Sequence, residues 1–273
     1  METVLIVLLM ILTGFIILLY RTNRKWSLSV FFLCIIVFCF GFYQSNKEQQ
    51  IPSEVMVDHV TVADDRAPSI LNQKSSLIDV PIISQLPELP RGCEVTSLAM
   101  LLAHAGVIVD KMELAFKIKK DDTPYEEKDG KIYYGHPNNG FIGDMYNRKN
   151  PGLGVYHKPI FELAEQYMPG RMLDLTGEEF FTIEKHVANG YPVWVIINTK
   201  YNRLPDSAFI TWHTPEGPTK ITYHEHAAVI TGFDANYVYV NDPLTVEKNK
   251  KIPKEAFISA WVQMGRQAIT YTE

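Results

Sequence analysis

Cysteine is scarce in this chain, with three in 273 residues. Two of them, Cys34 and Cys39, fall inside an apolar N-terminal run, so Cys93 stands alone in everything that follows. A disulfide-framed domain is excluded, as is a structural zinc site of the four-cysteine kind. Basic clusters are lacking too: the formal net charge is -5, and no Lys/Arg run rises above a solvated face. Nucleic acid is therefore not an expected partner. There is no internal repeat and no low-complexity tract.

Apolar length, by contrast, is abundant at one end. Residues 3–20 and 27–43 carry no charged side chain, and each has about the ~17–25 residues that a helix needs to cross a bilayer. A cleaved signal peptide fits poorly, because Met1-Glu2 supply no basic residue and a second span follows at once. The reading is a two-helix membrane hairpin. Its connector holds Arg21, Arg24 and Lys25, which the positive-inside rule places in the cytoplasm. Both ends of the hairpin, and the rest of the chain, are then expected outside. Cys34 and Cys39 read as lipid-facing or packing residues.

Three regions result: 1–45 as the transmembrane hairpin, 46–76 as a polar, flexible tether without persistent periodicity, and 77–273 as a globular domain. The first half of that domain reads as helical and loop-rich, with helices near 93–105, 110–120, 159–167 and 178–189. The second half reads as strands near 191–198, 207–214, 218–223, 226–233 and 237–241, then a helix near 253–262 and a last short strand. Helices followed by a mostly antiparallel sheet make an α+β layout.

Cys93 begins a helical pattern, with Val95, Leu98, Ala99 and Leu102 at apolar spacing and Gly106 as the stop. A thiol at a helix N-terminus faces the positive end of the macrodipole, which favours thiolate. A cysteine nucleophile also needs a base and a group that orients the base. His226 lies about 130 residues downstream, at the start of an apolar strand that a short turn, Asp234-Ala235-Asn236, joins to the strand ending Asn241-Asp242-Pro243. Pairing Phe233 with Tyr237 puts His226 opposite Leu244 and makes Asp242 its diagonal neighbour on the same face, with Asn241 pointing away. A single bulge would reverse that choice. His224 shares the face and is the second candidate. Gln85, shortly before Cys93, is placed to donate to an oxyanion.

These residues resemble a known family. Val80-Pro81-Ile82-Ile83-Ser84-Gln85, Gly92-Cys93-Glu94-Val95-Thr96-Ser97, His226-Ala227-Ala228-Val229-Ile230-Thr231-Gly232 and Asn241-Asp242-Pro243 look like bacterial proteins related to cysteine-peptidase family 39. Those are papain-fold peptidases typified by the enzymes that cut leader peptides from bacteriocins. The resemblance spans roughly 77–270 and takes in Gly140-Phe141-Ile142-Gly143-Asp144 and Gly154-Val155-Tyr156. It implies a papain-like fold, with Cys93 as nucleophile, His226 as general base, Asp242 as orienting residue and Gln85 as oxyanion donor. The leader peptidases carry Asp-Cys-Gly where this chain has Gly92-Cys93-Glu94, and no transporter region follows, so leader cutting is not expected.

The leading expectation is a membrane-tethered thiol hydrolase that cuts peptide or amide bonds of a peptide or cell-wall substrate outside the cytoplasm. Membrane lipid would be its partner through residues 3–20 and 27–43. Amide exchange and a catalytically silent binding module are the alternatives. Neither cofactor nor metal is expected; zinc held by His224, His226, Asp242 and Cys93 lacks support from a second cysteine or clustered carboxylates.

Overall fold

The computed structural model describes residues 75–273. The expected hairpin, and the expected tether up to residue 74, lie outside them. Among the described residues no helix is long and apolar enough to cross a membrane.

The centre of the domain is an antiparallel sheet ordered β12 (Glu247–Pro253), β11 (Tyr237–Asp242), β10 (Glu225–Phe233), β7 (Val193–Asn198), β13 (Ala268–Tyr271) and β6 (Met172–Asp174). A two-residue strand, β1 (Ser76–Leu77), pairs with the far end of β10. The central strands β7 and β10 are buried along their whole length. They read as continuous apolar runs because helices cover both faces. Helices α1 (Cys93–His104), α2 (Lys111–Lys117) and α3 (His157–Glu165) pack on the face that carries Trp194, Ile196, Ala227 and Ile269. Helices α4 (Phe180–Ala188) and α5 (Lys254–Gln263) pack on the face that carries Val193, Val195, Ile197, Ala228 and Ile230. The period-2 alternation of β7 and β10 thus assigns successive residues to two different cores.

Helix α1 runs where its apolar spacing predicts. It is more than amphipathic: every residue from Cys93 to Leu102 is buried, because β7, β10, α2 and α3 enclose it. The polar side chains Glu94, Thr96 and Ser97 are buried with it, and Ser97 Oγ is held by the Ala227 carbonyl at 3.2 Å.

Besides the short strands β1 and β6, which join the main sheet from the part expected to be helical, two features depart from the expected layout. The strands β8 (Ile210–Thr214) and β9 (Gly217–Ile221) do not join the main sheet. With β3 (Glu126–Lys128) and β4 (Lys131–Tyr133) they form a separate four-stranded sheet, whose small core holds Tyr134, Leu153, Trp212 and Ile221, while β2 (Lys120–Asp121) and β5 (Phe141–Ile142) pair in parallel with each other. Strand β12 was not expected at all. Its sequence, Glu-Lys-Asn-Lys-Lys-Ile-Pro, has no apolar alternation, because it is an edge strand whose lysines discourage further pairing.

Candidate active site

The turn before α1 is tied from several sides. Gln85 Nε2 donates to the Leu89 and Pro90 carbonyls at 3.1 and 3.3 Å, and the Gln85 backbone N–H donates to the Pro243 carbonyl at 3.0 Å. The Arg91 guanidinium donates to the carbonyls of Asp144, Asn147, Arg148 and Asn150. Gly92 is required by contact: a Cβ there would sit 2.5 Å from Leu89 Cβ. As the residue preceding the helix, Gly92 offers no side-chain cap, which leaves the Cys93 backbone N–H to a developing negative charge, while the Glu94 N–H is taken by its own carboxyl.

The His–Asp pair rests on the register of β10 and β11. Phe233 faces Val238 and Gly232 faces Tyr239, one residue away from the pairing the sequence suggests. A bulge between Ile230 and Gly232 then restores the suggested pairing, with Ile230 facing Val240 and Val229 facing Asn241. The displaced turn and the bulge cancel, and Asp242 returns to the face of His226. His226 Nε2 and Asp242 Oδ1 are 2.9 Å apart, both side chains buried. Asn241 points away and donates to the Val80 and Pro81 carbonyls.

Asp242 is also held by Lys250 Nζ at 3.1 Å and by the Leu244 backbone N–H at 2.9 Å. Burial alone would raise its pKa, but the hydrogen bond and charge of His226, with Leu244 and Lys250, outweigh burial and hold it well below the ordinary range. With Asp242 on Nε2, the imidazole Nδ1 remains for a second partner. The Tyr201 ring stands edge-on to the imidazole, with centroids 6.1 Å apart, and Lys250 Nζ lies over the same ring. Asp242 and Cys93 both act electrostatically on the Tyr201 phenol, so nucleophile and base pair share one neighbourhood.

The expected thiolate is not what the structure shows. Burial pushes the Cys93 thiol well above its usual pKa, and Glu94 and Glu225 push it further; the Ala227 backbone amide works weakly the other way. The thiol donates to Glu94 Oε2 at 3.3 Å. Burial and two carboxyls here outweigh the helix dipole, whose effect is modest. Glu94 is itself raised to about 7 by burial, against hydrogen bonds from its own backbone and from Val155. Burial, then Glu94, raise Glu225 well above the carboxylate range. Glu94→Gln removes one opposing charge, so Cys93 is expected to react with iodoacetamide several-fold faster at pH 7 than in the wild type, as each pKa unit is about 1.4 kcal/mol. An unchanged or slower rate would contradict this account.

Of the four expected residues, Cys93 stands at the start of α1, Gln85 braces the turn before it, and His226 pairs with Asp242 on the sheet against which α1 packs. Gln85 serves differently from expectation, since both amide hydrogens are committed to turn carbonyls while Oε1 is buried without a partner. His224 Nδ1 lies 3.4 Å from Thr199 Oγ1 instead of Asp242. Glu94, Glu225, Tyr201 and Lys250 were not foreseen. The signal for the two carboxyls was adjacency alone, Glu94 directly after the nucleophile and Glu225 directly before the histidine. Metal-capable donors do converge, but as Cys93, Glu94 and Glu225 rather than the histidine-based set. Beyond them, Tyr156, His157, Phe209, Lys220 and Gln267 line a cavity of about 290 Å³, and Tyr156 also feels the charge of Glu225.

Residues 77–269 match the family model described as Peptidase_C39 like family. The chain is 40% identical over 250 residues to the uncharacterized protein YvpB of Bacillus subtilis (strain 168), covering 87% of this chain and 96% of that protein. A protein of Bacillus anthracis, whose crystal structure is described as that of a C39-like peptidase, superposes with a TM-score of 0.69 at 47% identity, over 74% of this chain and 98% of that one. By sequence and by fold, the chain belongs to the Peptidase_C39 like family, a family of cysteine-peptidase type.

Proposed function

We propose that this protein is a membrane-tethered thiol hydrolase that cuts peptide or amide bonds outside the cytoplasm through Cys93, His226 and Asp242. The observation that carries the reading is the buried His226 Nε2–Asp242 Oδ1 bond of 2.9 Å, on the strand that packs against the helix Cys93 begins. Asp242 fixes the ring and its tautomer, which leaves Nδ1 to take the thiol proton. For attack, Sγ turns from Glu94 to Nδ1. The thiolate adds to the substrate carbonyl, the Cys93 backbone N–H receives the oxyanion, and the His226 imidazolium returns its proton to the leaving amine. Water, deprotonated by His226, then releases the acyl group. Gln85 assists the oxyanion only if its amide exchanges a turn carbonyl for substrate; in the resting state it braces the turn.

The test is digestion of a peptide library by the full chain, with new termini read by mass spectrometry. Cuts made by the wild type and lost in Cys93→Ala support the reading. Cuts that persist in Cys93→Ala, or no cuts at all, overturn it. The resting contact between Cys93 and Glu94 favours one alternative, a silent binding module on the same fold, and the second outcome would lead there.

The tethering through residues 3–20 and 27–43 predicts a separate result. In intact cells, an impermeant protease is expected to degrade the 75–273 domain while a cytoplasmic marker survives. Protection of the domain until the cells are lysed would invert the topology.

A further inference from the structure

Glu94 and Glu225 reach one point from two elements, the first turn of α1 and the first residue of β10. Donor atoms of Cys93, Glu94 and Glu225 all lie within 4.8 Å of one another, and all three residues are buried. The Gly154 backbone passes against both acids: a Cβ there would collide with Glu94 Oε1 and come within 2.7 Å of Glu225 Oε2. The Val155 N–H holds Glu94 Oε1 at 2.7 Å, which turns Oε2 toward the sulfur. The Gly154–Val155 backbone thus packs against both acids and orients Glu94.

Glu225 points to a ligand. It is only 9% exposed, and its Oε1 is buried without a hydrogen-bond partner. Native proteins rarely leave a buried polar atom so. Its neighbour in the cluster is a second acid, Glu94, and among the described residues no basic side chain forms an ion pair with either. One thiolate and two carboxylates suit zinc, with sulfur at about 2.3 Å and oxygen at about 2.0–2.2 Å. Calcium and magnesium take oxygen ligands and are poor matches for the sulfur.

We propose that Cys93, Glu94 and Glu225 form a binding site for Zn²⁺ or a similar thiophilic divalent cation, which holds the nucleophile as a metal thiolate and keeps the enzyme off. Binding releases the Cys93 thiol proton to solvent and replaces the acid protons of the pair, so no redox partner is needed. A fourth position is left to water. Coordinated Sγ cannot turn to His226 Nδ1, and hydrolysis waits until the metal leaves. Only this inhibitory consequence rests on the proposed function; the metal site stands without it.

The experiment uses the full, untagged, metal-free chain. Iodoacetamide labelling of the Cys93 peptide is followed by mass spectrometry as ZnCl₂ is added. Zn²⁺ is expected to slow labelling about tenfold or more in the wild type, and a chelator to restore it. Since even loss of a residue that supports a ligand weakens metal binding by about 10–100-fold, Glu225→Gln is expected to shift the protecting Zn²⁺ concentration upward by at least that much. His226→Ala is expected to keep the protection. Co²⁺ is expected to give a near-ultraviolet thiolate-to-cobalt band in the wild type and none in Cys93→Ala, a readout that holds even if Glu225→Gln does not fold. No protection at saturating Zn²⁺ would overturn the proposal. So would protection that survives in Glu225→Gln but disappears in His226→Ala, which would place the metal on the catalytic pair. If peptides are never cut yet protection follows this pattern, the metal site stands and the hydrolase reading falls.

Discussion

Removal of the His226 imidazole is expected to lower peptide hydrolysis by roughly 10⁴–10⁶-fold, the scale seen when one member of a nucleophile–base unit is lost. The reason is specific to this site. The Cys93 thiol is buried beside Glu94 and Glu225, and both carboxyls oppose its ionisation. An ordinary surface cysteine keeps a few per cent of thiolate near neutral pH, but this one has far less to fall back on. The imidazole is the group that can take the proton and then offset the charge, so His226→Ala should cost nearly as much as Cys93→Ala, and the double variant little more than either. Additive losses in the double variant would show that the two residues do not act as a unit. Substitution of His224 serves as the comparison. That ring lies against Thr199, and its loss is expected to leave turnover within a few-fold of the wild type.

The same contrast shows what could be read in the chain before the structure. Helix α1 was legible because Gly92, Cys93 and the apolar residues after them carry a local signal. So was Asp242, but by a route that local pattern could not guarantee. The hairpin turn is one residue from its expected pairing, and the bulge between Ile230 and Gly232 removes the error. Either deviation alone would have brought Asn241 to the face of His226. Strand β12 was hidden because an edge strand of lysines resembles a loop. The placement of β8 and β9 in a second sheet depends on β3 and β4, which are too short and too charged to show periodicity. The acid pair was the deepest omission. Glu94 and Glu225 each sit beside a recognised residue, yet their burial together follows from α1 packing on β10, a contact between distant parts of the chain. That contact also reverses the electrostatic expectation for Cys93: the helix dipole is a local property legible in sequence, and the carboxyls that outweigh it are not.

Replacing Asp242 with alanine is expected to damage stability as well as activity. Asp242 is 2% exposed and accepts from His226, Lys250 and the Leu244 and Thr245 N–H groups. Breaking a buried pair from one side costs about 3–5 kcal/mol, because the remaining partners are left without a counter-charge. For a domain of this size that is roughly a 10 °C fall in Tm. Turnover is expected to drop by about 10⁴-fold, as when a triad histidine loses the carboxylate that sets its tautomer. Asp242→Asn separates the two effects: it keeps the shape and some hydrogen bonds, and should recover much of the stability while leaving turnover low.

The pH dependence carries a sign that a merely structural aspartate on the surface would not give. Asp242 has its folded pKa depressed below the unfolded value of about 3.9. Its contribution is therefore present above about pH 4 and is lost as the pH falls toward the depressed folded value. Denaturant melts at pH 7 should thus separate Asp242→Ala from the wild type by the full amount, and the gap should begin to narrow only below about pH 4 and go on narrowing as the pH approaches the depressed folded pKa. A gap of constant size across that range would mean that Asp242 acts through packing alone, and the electrostatic role of the His226–Asp242 pair would have to be abandoned.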